Sequence, residues 1–195
     1  ANTTPDAELL AAAETGALHE SEGLSRQIDR LMRSSRLEGA VRTFFADMLG
    51  LEANANLAKD GTLYPQFVRA VKADMPEQTL RTISHHLLTK DGDYRDLFTT
   101  RETFMTRALG LIYQVPVPQQ SGWMPYTFTE GSGRAGILTL MNFLAANSHD
   151  GRTSPTLRGK ALRETLLCQA VPIPPGDVDF KLVQDTSNPA FKTTR

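Results

Sequence analysis

Apolar residues recur along the first part of the chain at the spacing of an α-helix. Four of them after Ser21 share one helical face, at positions i, i+4, i+7 and i+8: Leu24, Ile28, Leu31 and Met32. Similar spacing and helix-start residues predict further helices over residues 6–13, 36–50, 66–74, 76–89 and 100–113. We assign a new helix at Pro76, because proline suits a first turn and disrupts a helix interior.

A change in composition separates this part from the rest. Residues 115–133 are rich in turn-forming types: Pro116, Pro118, Gly122, Pro125, Gly131 and Gly133. Such a stretch is typical of a domain boundary. We therefore expect a helical domain over 1–114, a Pro/Gly-rich linker over 115–133 and a second domain over 134–195.

The predicted fold class is mainly α, with a bundle-like first lobe and a smaller helical lobe that ends in a Pro-rich extended tail. In the second lobe, helices are expected over 137–146 and 155–167. Apolar residues lie all around the 155–167 helix, so we place it centrally in that lobe. Pro172, Pro174 and Pro175 favour an extended conformation after it.

The most unusual local chemistry lies between Ser148 and Lys160. Asp150–Gly151 forms a turn dipeptide, and Ser154 before Pro155 is typical of a helix N-terminus. Arg152 and Arg158 lie around that start. Free N–H groups with nearby cations suit a carboxylate, a phosphate or a propionate. Alternatively, the arginines pair with acidic side chains or loop carbonyls and only fix the turn.

Composition and motifs exclude several function classes. The net charge of −1 gives no field for nucleic acid, and no apolar run has the length of a membrane span. His85 and His86 point to different sides of a helix, so we assign them no metal. Residues 90–96 lack the ligand pattern of a calcium loop. No nucleophile–base pair is defensible, because Ser154 is better explained as a cap, so we name no catalytic residue and leave enzymatic activity undecided.

Three motifs stand out in the second half of the chain: Arg134–Thr139 (RAGILT), Arg152–Pro155 (RTSP) with Arg158–Gly159, and a proline run closed by Val178. Together they resemble a planctomycete-type cytochrome-c-associated family of unknown function. The segments PDAELLAAAETGAL near the start and VRTFFADMLGL at 41–51 also fit, so the resemblance covers nearly the whole chain. Thr106 and Gln114 replace an asparagine and a glycine that are usual in the family, which puts any role of that asparagine in doubt.

The resemblance implies an exported protein, periplasmic or extracellular, with a C-x-x-C-H haem-attachment motif soon after the position of Arg195. This chain has only Cys168, so it holds no covalent haem, and haem c is expected in the parent protein. We therefore interpret the chain as an internal piece. Its expected partners are the haem c domain, the remainder of the parent protein or a larger complex.

We consider three functions. In the first, which the resemblance implies, the chain is a helical body that supports electron transfer beside a haem domain. The expected cofactor-binding residues are then Arg152 and Arg158, which hold a propionate, His149, which is an axial ligand or a neighbour of one, and Ser154 at the helix start. In the second, it is a non-catalytic scaffold of a larger assembly. In the third, it is a hydrolase or another enzyme acting on exported polymers.

Overall fold

The computed structural model describes residues 3–173, and it confirms a mainly α protein. Seven α-helices lie in this part of the chain: α1 (Ala7–Glu14), α2 (Ser21–Met32), α3 (Leu37–Met48), α4 (Arg69–Ser84), α5 (Arg107–Tyr113), α6 (Met141–Ala146) and α7 (Pro155–Ala161). Two strands, β1 (Glu102–Met105) and β2 (Met124–Thr127), form one antiparallel pair. Residues Pro174, Pro175 and Val178, with the rest of the predicted extended tail, lie outside the described residues.

Helix α4 is the centre of the core. It buries side chains along its whole length, including Val71, Met75 and Ile83. One hydrophobic cluster joins α4 to elements on both sides of the predicted linker: Phe45, Val71, Met75, Ile83, Leu97, Met105, Leu109, Tyr113, Phe128, Ile137, Leu140 and Ala145. The division of the chain into two domains stays a prediction.

The predicted new helix at Pro76 is wrong, because α4 runs through this proline without a break. An interior proline costs a helix about 3 kcal/mol, since it removes an N–H donor and crowds the preceding turn. Burial of Met75 and Ile83, on either side of it, offsets that cost. The helix then continues into a π-helical turn, His85–Thr89.

A buried polar network ties α4 to its neighbours. Gln78 Nε2 donates to the Phe104 carbonyl of β1 at 2.9 Å, and the Tyr113 hydroxyl donates to Gln78 Oε1 at 2.9 Å. The Met141 N–H, at the start of α6, donates to the Tyr113 oxygen at 2.6 Å. Since every member has a partner, the network stabilises one arrangement of four elements.

The predicted helix over residues 100–113 is also only partly right. Residues 102–105 form β1, which pairs Thr103 with Tyr126 of β2, and the helix α5 begins only at Arg107. Thr103 Oγ1 lies 2.9 Å from Thr82 Oγ1 of α4, next to the Gln78 contact. Tertiary contacts with α4 therefore override the helical spacing of this segment.

One expected packing arrangement is wrong, that of the 155–167 segment, and the packing of α2 departs from its apolar pattern. The apolar face of α2 is exposed: Ile28 is 49% accessible, whereas the buried residues of this helix are Gly23 and Gln27. The 155–167 segment is helical as predicted, but α7 and the following π-helical turn, Leu162–Leu166, bury no residue. The segment therefore does not lie at the centre of its lobe, although apolar residues are scattered all around it. A short helix with no continuous apolar face gains little from burial.

The start of the second half packs against the first at a glycine. Gly136 has a φ of 74°, and a Cβ built on it would lie 2.1 Å from the Phe98 carbonyl oxygen. Only glycine fits both the positive φ and this approach. After it, the predicted helix over 137–146 is divided into a 3₁₀ turn, Ile137–Thr139, and α6.

Candidate functional site

A surface cleft of about 520 Å³ lies between α5, α6 and the 148–153 loop. The 59–67 segment forms its other side. Sixteen residues line it: Lys59, Leu63, Tyr64, Gln66, Phe67, Leu111, Ile112, Gln114, Met141, Leu144, Ala145, Ser148, His149, Arg152, Thr153 and Arg158.

Three of the four predicted site residues meet in this cleft. His149 is exposed, and Arg152 and Arg158 are half-buried. The Arg158 guanidinium donates through Nη1 to Thr153 Oγ1. The geometry thus brings both arginines to the same surface.

Ser154 has a different place. It is only 6% exposed, it does not line the cleft, and its hydroxyl accepts the Leu157 N–H at 3.2 Å as the cap of α7. The predicted start of this helix at Ser154–Pro155 is confirmed. The side chain therefore acts here on the local backbone.

Lys59 connects the two sides of the cleft. Its Nζ donates to the Ser148 carbonyl at 3.1 Å, the Ser148 hydroxyl at 2.9 Å and the His149 carbonyl at 3.0 Å. An ammonium group has three N–H donors, so these three contacts use all of them. Lys59 thereby holds the loop that carries His149 and Arg152.

Backbone contacts support the same connection. The Asp60 N–H donates to the Asp150 carbonyl at 3.0 Å, and a Leu63 methyl lies 3.3 Å from where a Cβ on Gly151 would be. Partial burial lowers the pKa of Lys59, and the Asp150 carboxylate opposes this effect by favouring the cation. The nearby carboxylate thus offsets part of the desolvation penalty of the Lys59 ammonium group, and the three oxygens supply its hydrogen-bond partners.

The lining is amphipathic and carries one sign of charge. Among the described residues that line this cleft, none is acidic, whereas Lys59, Arg152 and Arg158 are cations. Beside them lies an apolar wall, in which Leu63 is 59% and Leu111 is 64% exposed. A surface of this kind attracts an anion that also offers apolar contact.

Lys59 and the apolar wall have no distinctive signal in the sequence. Lys59 lies in a polar, irregular stretch, about 90 residues before its partners, and no local pattern links the two segments. Helical spacing counted from Phe104 predicts that Leu111 faces inward, whereas the structure leaves it exposed. Phe104 belongs to the strand β1 and not to α5, so its position does not indicate which side of α5 is buried.

A second, smaller cleft of about 200 Å³ lies beside the π-helical turn. His85 and His86 both line it, with Lys90, Glu102 and Tyr126. His86 Nε2 lies 2.9 Å from the Asp93 carbonyl oxygen, and the His85 ring packs edge-on to Phe104 at 5.3 Å between centroids. Both imidazoles thus have structural contacts.

The described residues hold neither a metal-binding cluster nor a membrane-spanning helix. Within residues 3–173, no three His, Cys, Asp or Glu side chains are grouped to hold a metal ion. The described helices include none with both the length and the apolar character needed to cross a bilayer. Cys168 is exposed and unpaired among the described residues.

Comparisons with known proteins identify the family. The model of PSD4, a protein of unknown function (DUF1592), matches residues 1–115, and that of PSCyt3, a protein of unknown function (DUF1588), matches residues 134–195. No curated protein and no solved structure matches the chain. Both names belong to planctomycete cytochrome-c-associated domain families of unknown function, so the suspected resemblance is confirmed. Since the first match covers more than half of the chain, this protein belongs to the PSD4 family of unknown function.

Proposed function

We propose that this chain is the helical body of an exported c-type cytochrome-associated protein and supports electron transfer by packing beside a haem domain of the parent protein. The observation that carries the proposal is the charge of the cleft, whose ionisable lining residues include three cations and His149. The names of the two domain families, which suggest an association with cytochrome c, support it. On this proposal the protein works outside the cytoplasm.

The cleft residues fit a haem edge. A propionate is a carboxylate, which a guanidinium binds through charge-assisted hydrogen bonds. The Thr153 contact of Arg158 engages Nη1, and a guanidinium has five N–H donors in all. The wall that includes Leu63 and Leu111 offers apolar contact beside these donors.

We assign the chain's residues binding and orienting roles. Haem c, when bound in the neighbouring domain, supplies the redox chemistry. Arg152 and Arg158 bind the propionate, and Lys59 keeps their loop in place through Ser148 and His149. His149 is exposed in the lining of the cleft, where it would bind the haem iron or neighbour the residue that does. Ser154 contributes indirectly by capping α7.

The experiment is a redox titration of the parent protein. Reduced-minus-oxidised spectra first show whether haem is present. Replacing Arg158 with Gln removes a cation that favours the less positive, reduced haem, so we expect a lower midpoint potential. Arg163→Gln, at an exposed position one helical segment later, is the matched control and should leave the potential unchanged. A parent protein without haem bands, or equal shifts in both variants, would refute the proposal.

An alternative function, a non-catalytic scaffold of a larger assembly, is favoured by the exposed face of α2. Leu24, Ile28 and Met32 lie along it and are each roughly half exposed. Such a row suits burial against another protein. If sedimentation shows that Ile28→Ser releases the parent protein from its assembly while haem spectra are absent, the scaffold is the better description.

A further inference from the structure

The main cleft combines two features that a single class of ligand would satisfy. We propose that it binds the carboxylate of an amphipathic acid, with Arg158 recognising the charge and the apolar wall holding the body of the molecule. This inference rests on the proposed function and deepens it, because a haem propionate is one source of such a group. A free amphipathic acid is the other source.

The apolar wall is the first line of evidence. Leu63 and Leu111 expose more than half of their surface, and Tyr64 is also exposed. These side chains come from two separate segments, yet all three line the same cleft. Covering these side chains is favourable, because it removes apolar surface from water. A ligand with an apolar body would therefore be held here even before its charge contributes.

The fixed charge pattern is the second line of evidence. Two carboxylates, those of Asp60 and Asp150, belong to the segments that form the cleft, and neither lines it. Asp60 Oδ1 accepts the Thr62 and Leu63 N–H groups at 2.8 and 3.2 Å, which turns this acid toward its own loop. The lining of the cleft thus presents cations without a competing carboxylate.

Lys59 is a positioning residue in this arrangement. Its three donors are engaged by Ser148 and His149, so it is not the group that pairs with the ligand. It fixes the loop next to Thr153, which in turn contacts Arg158. The recognition of charge is left to the guanidinium groups of the lining, those of Arg158 and Arg152.

The volume agrees with a small ligand. The cleft measures about 520 Å³, and small-molecule sites span roughly 300–1,000 Å³. Apolar lining with a few polar groups at one end is the usual composition of such sites. A cleft of this size accepts either a haem propionate or a free amphipathic acid, so the experiment has to distinguish these two ligands.

Calorimetric titration of the 195-residue chain with matched acid and neutral probes tests the proposal. One pair is dodecanoate and dodecanol, and the other is protoporphyrin IX and its dimethyl ester. We expect the acids to bind about tenfold or more tightly than their neutral twins, since a charge-assisted hydrogen bond contributes about 1.5–3 kcal/mol. Arg158→Gln should lower this ratio several-fold, with Arg152 accounting for what remains. Arg158→Lys should retain more of it, and Arg163→Gln should preserve it.

Two further variants separate binding from folding. Leu111→Ser should weaken both members of a pair equally, because it removes only apolar contact. Lys59→Met should lower the acid-to-neutral ratio, and Lys59→Arg should recover part of it. A merely structural role for Lys59 would lower the melting temperature and leave the ratio unchanged.

The outcomes distinguish the two sources. Tighter binding of protoporphyrin IX than of its dimethyl ester supports the proposal with a haem propionate as the ligand. If only dodecanoate binds more tightly than its neutral twin, the proposal is supported with a free acid as the ligand. This second result would stand even if the redox titration of the Arg158→Gln parent protein refutes the haem role. If neither acid binds, or if acids and neutral twins bind equally, the inference is overturned.

Discussion

Helices α2 and α4 differ in burial, and in each the observed burial is the opposite of what its sequence suggests. Helix α2 has a continuous apolar face, Leu24–Ile28–Met32, yet that face is open to solvent. Helix α4 contains a proline and several polar residues, yet it buries Met75, Ile83 and Gln78 completely.

The reason lies in what covers each helix. Helix α4 contacts α3, α5, α6 and β1, and its polar side chains find partners among them, as Gln78 does with Phe104 and Tyr113. Helix α2 packs mainly against the 3₁₀ turn Ala17–His19. Amphipathic spacing indicates that a face can be buried, whereas the available neighbours decide whether it is.

The largest expected effect is the difference in stability loss when an isoleucine is replaced with alanine in each of the two helices. Ile83→Ala should lower the free energy of unfolding by about 2–5 kcal/mol, because it leaves a cavity in a site with 0% exposure. Ile28→Ala, at 49% exposure, should change it by about 0.5 kcal/mol or less. Urea denaturation measures both. Equal losses would show that the α2 face is covered in solution.

A smaller effect is expected at the polar network of α4. Tyr113→Phe removes the hydroxyl that donates to Gln78 and accepts from Met141. Leaving buried partners unsatisfied costs about 1–3 kcal/mol. Tyr94→Phe is the control, since Tyr94 is exposed, and denaturation should show little change for it. A neutral Tyr113→Phe would mean that water replaces the hydroxyl.

The same tyrosine should make stability fall at alkaline pH. Burial raises the pKa of Tyr113 to about 12, above the ordinary value of 10.0. Between these values the unfolded chain has lost the proton while the folded chain keeps it, so unfolding becomes more favourable as pH rises. The slope is about 1.4 kcal/mol per pH unit. Urea denaturation at a series of pH values between these two pKa values should show this extra slope in the unmodified chain and lack it in Tyr113→Phe.

Local signals predicted much of the fold. The helix start at Ser154 is confirmed, and its hydroxyl accepts the Leu157 N–H. The helix predicted over 6–13 also forms, with Asp6 as its cap. Such caps need only neighbouring residues. The strand 102–105 was missed because its partners, Thr82 and Tyr126, lie more than 20 residues away. Continuity through Pro76 likewise depends on distant packing.

The residues of the candidate site likewise fall into those that the sequence predicted and those that it did not. His149, Arg152 and Arg158 were found because they belong to one dense stretch of unusual residues. Lys59 and Leu111 reach the cleft from other segments, and their sequence surroundings show nothing distinctive. One side of a cleft is thus visible in a motif, whereas the opposite side depends on tertiary structure. Binding roles for all these residues stay predictions until the titrations are done.

The smallest expected effect concerns the attachment of α1 to α2. Arg30 of α2 donates to both Asp6 oxygens, at 2.7 and 2.8 Å. This contact, with the Leu9 N–H, lowers the pKa of Asp6 from 3.8 to about 2.

A lowered carboxyl pKa adds stability at pH values above the pKa of the unfolded chain, and this contribution is lost as pH falls from about 4 to about 2. We therefore expect the amide protection factors of α1 to fall over that range, while those of α4 stay unchanged. An NMR titration measures the carboxyl directly: Arg30→Gln should return the pKa of Asp6 toward 3.8, and Arg26→Gln, whose partner is Glu22, should not. An Asp6 that titrates at its ordinary value in the unmodified chain would show that α1 is not held by this ion pair, which would extend the contrast with α4 to the whole N-terminal segment.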